Sequence, residues 1–149
     1  MTDVFETLGP WDDIVPFKAA VVLLKDRYGR ILLQLRDDFP NVKSGGKWGY
    51  FGGEIEDGET ARDAAIRETT EEISIAIPSS AFRPFVRIIS TSQKGHQHYV
   101  FICDHAIEPS EVKLTEGAGF AFVNAEQLEK FDLIPIVRQV VDYYFETQV

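Results

Sequence analysis

The 149-residue sequence contains little cysteine, few basic residues and no long apolar run. Its single cysteine, Cys103, excludes an internal disulfide, and its FICDH context predicts a packed strand thiol. No apolar run approaches the roughly 20 residues of a membrane span, and the start MTDVFETLGPWDD lacks the features of a signal peptide. The sequence therefore predicts no membrane partner and a cytoplasmic location.

Basic residues are outnumbered by acidic ones, 15 to 24, which gives a formal net charge of -9 at pH 7. Such a surface repels a nucleic-acid backbone, so we expect no long nucleic acid as a partner. A small polyphosphate would also be repelled unless metal ions bridged it to the carboxylates. A length of 149 residues and a hydrophobic content of 44% predict one globular domain over residues 1–149.

Acidic residues are concentrated between Gly53 and Ile75, where the chain reads GEIEDGETARDAAIRETTEEISI. On an α-helix, Glu68 and Glu72 lie about 40° apart around the axis, and Glu71 lies about 60° to the other side of Glu68. The three carboxylates share one face, and their mutual repulsion favours a divalent cation there. The competing interpretation is a solvated acidic helix without a site.

This segment resembles the signature of the Nudix hydrolases, G-x5-E-x7-R-E-U-x-E-E-x-G-U, in which U is apolar. The positions that match are Gly53, Glu59, Arg67, Glu68, Glu71, Glu72 and Ile75. Two positions depart from the pattern: Thr69 stands where an apolar residue is usual, and Ser74 where glycine is usual. Neither carries the chemistry of the family, so the departures concern packing and the turn after the helix.

The resemblance implies an α/β fold, the Nudix α/β/α sandwich with a mixed sheet. It also implies a hydrolase that cleaves the phosphoanhydride bond of a nucleoside diphosphate linked to another group, with Mg²⁺, or alternatively Mn²⁺, as cofactor. The partner would be a small nucleotide: a nucleoside triphosphate, a nucleotide sugar, ADP-ribose or a dinucleoside polyphosphate. A homodimer is compatible with this reading. The alternatives are a catalytically silent Nudix-fold sensor or scaffold that binds a nucleotide, and an acidic protein-interaction domain.

The resemblance also implies roles for individual residues. The metal-binding set is Gly52, through its carbonyl, with Glu68, Glu71, Glu72 and Glu116. The catalytic set is Arg67, Glu68, Glu71 and Glu116, in which Arg67 holds Glu68. The general base stays open between a motif carboxylate and Glu116, with Glu111 as a weaker rival. Glu59 would lie about 13.5 Å from Glu68 along a helix, too far to share one ion, and is interpreted as fixing the loop at the helix start.

Apolar patterning predicts the remaining elements. Residues 16–26 are expected to form a buried central strand in a hairpin with a strand that starts at Ile31. A loop over residues 39–47 and a short strand over residues 48–51 precede the signature helix, which is expected to run from Glu59 to about Ser74. Segments 82–92 and 96–107 predict a second hairpin. Residues 118–124 are expected to form another strand. Asn124 is expected to cap a short helix, and Pro135 is expected to begin the last helix.

Several side chains near the motif are candidates for contacts with the substrate. Those before the motif are Arg36, Asp37, Phe39, Trp48, Tyr50 and Phe51. Trp48 and Phe51 are interpreted as core side chains, since they lie in a predicted strand. His96 and His98 flank the tip of the predicted hairpin and are expected to be exposed. The aromatic residues 143–145 are expected to pack the last helix.

Overall fold

The computed structural model describes residues 2–40, 44–90 and 95–148. Its strands are β1 (Glu6–Thr7), β2 (Phe17–Leu23), β3 (Ile31–Leu35), β4 (Trp48–Gly49), β5 (Phe51–Glu54), β6 (Phe82–Ser90), β7 (His96–Cys103) and β8 (Gly119–Val123). Its α-helices are α1 (Ala61–Ile73) and α2 (Pro135–Gln148). Three short 3-10 helices cover Ser79–Ala81, Pro109–Glu111 and Leu128–Lys130.

The strands form two sheets. The larger sheet is mixed, with the order β1-β6-β7-β2-β5, and in it β2 runs parallel to β7 and antiparallel to β5. The smaller sheet is antiparallel, with the order β4-β3-β8. The predicted mixed sheet and the predicted inner position of β2 are therefore confirmed, and β5 lies at the edge of the larger sheet.

The two helices cover opposite faces of the larger sheet. Val21 of β2 belongs to the same buried cluster as Val137 of α2. Its neighbour Ala20 belongs to a second buried cluster together with Ala64 of α1. Since successive side chains of a strand point to opposite faces, α1 and α2 lie on different sides of β2. The predicted α/β/α sandwich is confirmed.

Two predicted connections differ from the structure. β2 and β3 do not form a continuous hairpin, because after one bridge between Lys25 and Ile31 they belong to different sheets. The predicted single strand over residues 48–51 is also divided, since β4 pairs with β3 whereas β5 pairs with β2. Most residues of β2 and β3 are buried whichever face they point to, so the apolar pattern did not reveal which partner each strand has.

Helix α1 begins two residues later than predicted. Thr60 is its N-cap: the Thr60 side chain accepts the Asp63 N–H at 3.1 Å, and the Asp63 carboxylate accepts the Thr60 N–H at 3.3 Å. Glu59 therefore precedes the helix. The predicted end near Ser74 is confirmed, since Ser74 leaves the helix in the left-handed conformation with φ of 59°.

The other predicted elements are found with smaller changes. β6 and β7 form the predicted antiparallel hairpin, and residues 91–94 of its tip lie outside the described residues, as do residues 41–43 of the predicted loop. Asn124 and Gln127 exchange the expected hydrogen bonds, but a turn and a 3-10 helix follow instead of an α-helix. Cys103 and Phe51 are fully buried, as expected. No helix in the described part of the chain is long and apolar enough to cross a bilayer.

Candidate active site

Two carboxylates of α1 meet the edge strand β5 at a pair of glycines. The Gly52 N–H donates to Oε1 of Glu72 at 2.9 Å. A Cβ at Gly53 would lie 2.4 Å from the carboxylate carbon of Glu68, so the missing side chain lets this carboxylate lie against the backbone. Gly52 has φ of 151°, and a Cβ there would lie 2.2 Å from the Ala20 carbonyl oxygen. The glycine pair thus sets the position of both carboxylates.

Arg67 connects this helix to the loop before it. Its Nε and Nη2 donate to the Glu59 carboxylate at 2.8 and 2.9 Å, and its Nη1 donates to Glu68 at 2.8 Å. Nη2 also donates to the Glu54 carbonyl at 3.0 Å. Arg67 therefore orients Glu68, and Glu59 fixes the loop before α1 through the same guanidinium.

Glu71 lies at the solvent-exposed border of the cluster. Its side chain is 59% exposed, and its Oε2 lies 3.6 Å from Nη1 of Arg67. By contrast, the Glu68 side chain is 17% exposed and the Glu72 residue only 4%. The three carboxylates that share a helix face thus range from solvated to buried.

Glu116 follows a segment that is bound to the C-terminal end of α1. The Lys113 N–H donates to the Ile73 carbonyl at 3.3 Å, and the Thr115 N–H donates to the Glu72 carbonyl at 3.1 Å. The Thr115 hydroxyl donates to the Glu71 carbonyl at 2.8 Å. These bonds occupy carbonyls that the helix end would otherwise leave unpaired.

The other side of Glu116 is held by β3 and the residues after it. The Gln34 amide donates to the Glu116 carbonyl at 2.8 Å, and the Gly117 N–H donates to the Asp37 carboxylate at 3.2 Å. Sequence reasoning missed Gln34, although a polar residue inside the apolar run ILLQL was a visible signal. Asp37, a candidate for substrate contact, holds the segment of Glu116. The charge of Glu116 acts on both Glu68 and Glu72, so the segment brings a further carboxylate to the motif.

The electrostatics of the cluster are dominated by burial and by like charges. Burial raises the pKa of Glu72 to about 8; the Gly52 N–H opposes this shift, and the charges of Glu68 and Glu116 add to it. Burial also raises the pKa of Glu68, against the effect of Arg67. The hydrogen bond from Arg67 instead holds the pKa of Glu59 well below its usual range. The face therefore carries more carboxylates than nearby cations neutralise.

This donor set fits a hard divalent cation, which prefers oxygen ligands and would discharge the repelling carboxylates. Neither histidine nor cysteine takes part in it. Across residues 2–40, 44–90 and 95–148, no group of three His, Cys, Asp or Glu side chains is already arranged to hold a metal ion. An ion would therefore have to draw these carboxylates together.

A cavity of about 340 Å³ opens beside Gly52 and Gly53, on the face of the larger sheet that α2 covers. His98 lines it and is 9% exposed, and its Nδ1 is hydrogen-bonded to the Tyr50 hydroxyl at 2.5 Å. The expected exposure of His98 is wrong, because this residue lies inside β7 and pairs with Ala19 of β2. Burial lowers the pKa of His98 to about 4.

Arg36 borders two cavities. It lines the cavity and also a smaller one of about 140 Å³ that Glu116 and Gly117 line. Its charge lowers the pKa of Glu72. Arg36 is thus a cation shared by the linings of both cavities.

The profile of the NUDIX domain family matches residues 15–144. No curated protein is significantly similar to the chain. Among solved structures, the chain is similar to a MutT protein from Methanosarcina mazei, with 22% identity over 89% of this chain and 94% of that one, and a TM-score of 0.69. The chain is also similar to the Escherichia coli dihydroneopterin triphosphate pyrophosphohydrolase, with 20% identity over 86% of this chain and 94% of that one, and a TM-score of 0.62.

A Nudix hydrolase from Nitrosomonas europaea is 17% identical over 91% of this chain and 73% of that one, with a TM-score of 0.71. At these identities the structures show a shared fold, and the family profile covers most of the chain. Hydrolases of this family cleave a nucleoside diphosphate linked to another moiety and generally need a divalent metal. The chain belongs to the Nudix hydrolase family.

Proposed function

We propose that this chain is a pyrophosphohydrolase that cleaves the phosphoanhydride bond of a small nucleotide with Mg²⁺, for which Mn²⁺ is the alternative. One observation carries the proposal: Glu68 and Glu72 lie against the bare backbone of two glycines, beside Glu116. A polyphosphate would be repelled by three carboxylates alone. A divalent cation removes that repulsion and is held by oxygen ligands of this kind.

The ligands we assign to the ion are the Gly52 carbonyl and the carboxylates of Glu68, Glu71 and Glu72; Glu116 is a further ligand in the alternative in which a motif carboxylate is the base. When bound, the ion would neutralise negative charge on the phosphates and lower the pKa of a coordinated water. Arg67 is a positioning residue in this proposal, because it contacts Glu68 and Glu59. The glycine pair keeps side chains out of the space beside the Glu68 and Glu72 carboxylates.

We assign Glu116 as the general base. Within the described residues neither the Glu116 carboxylate nor that of Glu71 makes a hydrogen bond, but Glu71 forms an ion pair with Arg67, whereas Glu68 is bonded to Arg67 and Glu72 to the Gly52 N–H. A base must accept a proton from the attacking water, which favours an uncommitted carboxylate. The rival Glu111 already accepts the Glu108 N–H at 3.2 Å.

The base assignment is tested by Glu116→Gln. A lost general base should lower kcat by about 10²- to 10⁴-fold and change KM much less. Glu111→Gln is the matched control and should keep the wild-type kcat. If kcat of Glu116→Gln is unchanged with the true substrate, the base is Glu68 or Glu71 instead.

The reaction itself is tested by measuring phosphate and pyrophosphate release over a panel of nucleoside triphosphates, nucleotide sugars, ADP-ribose and dinucleoside polyphosphates. The proposal expects release with Mg²⁺ and none after chelation. Nucleotide binding without release on any member would instead favour a sensor or scaffold. The presence of every motif carboxylate argues for turnover.

Residues 1–149 are proposed to act as one domain, since both buried clusters combine strands from before and after α1. The cytoplasmic location, the absence of a long nucleic-acid partner and the homodimer stay predictions from composition and resemblance. Size-exclusion chromatography with light scattering would decide between monomer and dimer.

A further inference from the structure

The position of the Glu116 carboxylate depends on its backbone. Within the described residues no hydrogen bond fixes the carboxylate itself, so its direction is set by the two peptides that flank the residue. The peptide before it is anchored, because Thr115 is bonded to the end of α1 through both its N–H and its hydroxyl. The peptide after it therefore determines where the side chain leaves the chain.

The peptide between Glu116 and Gly117 is held at both of its polar groups. Its carbonyl accepts the Gln34 amide at 2.8 Å, and its N–H donates to the Asp37 carboxylate at 3.2 Å. Gly117 has φ of 91°, and glycine adopts positive and negative φ about equally well. Without these two bonds, the chain could rotate easily at this point. The bonds thus fix the orientation of one peptide plane.

The Gln34 side chain is fitted to this peptide. A Cβ at Gly117 would lie 2.5 Å from Nε2 of Gln34 and 2.9 Å from its Cγ, so the amide packs against bare backbone. Gln34 lies in the central strand of the smaller sheet, paired with Gly49 of β4 and Phe120 of β8. A side chain on such a strand is held more precisely than one on a loop. The donor to the Glu116 carbonyl is therefore rigidly mounted.

An amide is an unusual side chain at this place in β3. Gln34 is 5% exposed, and Leu32, two residues earlier on the same face of the strand, belongs to the core beneath α1. A buried amide is costly unless it is hydrogen-bonded, and a satisfied hydrogen bond adds only modestly to stability. An apolar side chain would fill the position without needing a partner. What the amide adds is the bond to the Glu116 carbonyl.

We infer that Gln34 is a positioning residue for Glu116: its amide fixes the peptide after Glu116 and thereby the direction of the Glu116 carboxylate. The inference deepens the proposed function and rests on it for the role of Glu116 in the reaction. Misplacing a catalytic group by about 1 Å can lower the rate by about 10²-fold. Loss of the Gln34 amide should therefore slow turnover although Gln34 contacts no reacting atom.

Gln34→Met tests this inference by steady-state kinetics. Methionine keeps an unbranched side chain of similar length but has no N–H, so kcat should fall by about 10- to 100-fold and KM should change by about twofold or less. Gln97→Met is the matched control, because Gln97 is also buried and its amide donates to a backbone carbonyl, that of Asp12, at 2.6 Å. Its kcat should stay as in the wild type. An unchanged kcat in Gln34→Met overturns the inference.

A double variant shows whether Gln34 acts through Glu116. In the Glu116→Gln background, Gln34→Met should not lower kcat further, because the carboxylate that it positions is already absent. An equal fall in both backgrounds would show that Gln34 acts elsewhere and overturns the inference. Gln34→Leu, an apolar residue like its neighbours in β3, serves in both backgrounds if Gln34→Met does not fold.

Amide hydrogen exchange measures the placement without substrate or metal. In Gln34→Met the Gly117 N–H should exchange about tenfold faster, because its peptide has lost the bond on the carbonyl side. The Lys113 and Thr115 N–H groups, which are bonded to α1, should exchange as in the wild type. Wild-type exchange at Gly117 overturns the inference, and so does equally faster exchange at all three amides, which would indicate a general loss of stability.

The two proposals fail in different ways. If Glu116→Gln keeps the wild-type kcat, the base assignment fails, and the exchange of Gly117 alone decides whether Gln34 fixes the peptide. If Glu116→Gln loses activity while Gln34→Met keeps it, the base assignment stands and the role of Gln34 is overturned.

Discussion

The two faces of the larger sheet bury ionisable groups of opposite type. On the α1 face, Glu72 is an acid whose pKa burial raises to about 8. On the α2 face, His98 is a base whose pKa burial lowers to about 4. Burial disfavours charge in both cases. At pH 7 burial therefore favours a protonated Glu72 on the first face and a neutral His98 on the second.

The short segment Tyr50–Gly53 serves both faces because side chains alternate along a strand. Tyr50 lines the cavity, and Phe51 belongs to the core beneath α1. Gly53, two residues after Phe51, lies under the Glu68 carboxylate. This short segment thus borders the cavity on one side of the sheet and the carboxylates on the other. The following experiments alter one face and leave the other as a reference.

The largest effect is expected from Glu72→Gln. The substitution keeps the shape and an acceptor for the Gly52 N–H but removes the charge, so activity should fall by about 10³-fold or more. Nucleotide hydrolysis and thermal melting should be measured on the same sample, because the variant should still fold. Glu126→Gln, an exposed acid on a distant turn, is the control. Wild-type turnover by Glu72→Gln would contradict the assigned metal site.

Gly53→Ala should act on the carboxylates without unfolding the protein. The new Cβ would lie 2.4 Å from Glu68, the flexible end of a side chain that can move away, so stability without metal should change by about 1 kcal/mol or less. The stabilisation by a divalent ion, about 2.7 kcal/mol at a hundredfold excess over Kd in the wild type, should shrink. Gly119→Ala adds a Cβ with no atom within 4 Å and should leave both quantities unchanged. Thermal melting with and without Mg²⁺ measures the difference.

The pH dependence of stability should have opposite signs for the two faces in metal-free protein. Glu72 binds its proton more tightly when folded, so its contribution to stability falls as pH rises from 4.5 to about 8. His98 binds its proton more weakly when folded, so its contribution falls as pH drops from 6.5 to about 4. The free energy of unfolding should be measured in urea between pH 4 and 9. Glu72→Gln should reduce its fall as the pH rises, and His98→Phe should reduce its fall as the pH drops. A Glu72→Gln curve parallel to that of the wild type would rule out the raised pKa.

Thr69→Val should stabilise α1 from within. Thr69 is 1% exposed, and its hydroxyl has no hydrogen-bond partner among the residues described. Replacing it with a methyl group of similar size should add about 1 kcal/mol to the free energy of unfolding and leave kcat unchanged. Thr70→Val is the control, because that hydroxyl is exposed and donates to the Ile66 carbonyl, so no gain is expected. A loss of stability in Thr69→Val would indicate that the hydroxyl is satisfied in solution.

The smallest effect is expected from Ser74→Gly. Ser74 has φ of 59°, a left-handed conformation that costs a residue with a Cβ about 1 kcal/mol more than glycine. Denaturant unfolding should therefore show a gain of about this size. Ser74→Ala retains the Cβ and should show no gain, so equal stability of the two variants would count against strain at this turn.

Local features could be predicted from the sequence. The spacing of Glu68, Glu71 and Glu72 places them on one helix face wherever the helix lies, since that arrangement depends only on helical geometry. The β6–β7 hairpin also joins neighbours in the chain. The departures at Thr69 and Ser74 were located correctly, and the structure shows the consequence of each, an unpaired hydroxyl and a left-handed turn.

Non-local features could not be predicted. The hydrogen bonds that hold the Glu116 segment join Gln34 to Glu116 and Asp37 to Gly117, which are 82 and 80 residues apart in sequence. No periodicity records such pairs. His98 was misjudged for a related reason: distance from a hairpin tip gave no information about the parallel strand β2 beside it. The placement of Glu116, the proposed general base, and the cavity both depend on contacts of this kind.

The attachment of Lys113 and Thr115 to the end of α1 makes Glu116 independent of the length of the chain that leads to it. The backbone is also fixed at Ile107, whose N–H donates to the Lys25 carbonyl at 2.9 Å. Residues 108–111 between these anchors are exposed and can be lengthened at small entropic cost. A peptide tag or reporter inserted there would extend from the surface while the carboxylate kept its place, so this connection is a suitable site for attaching the protein to other molecules.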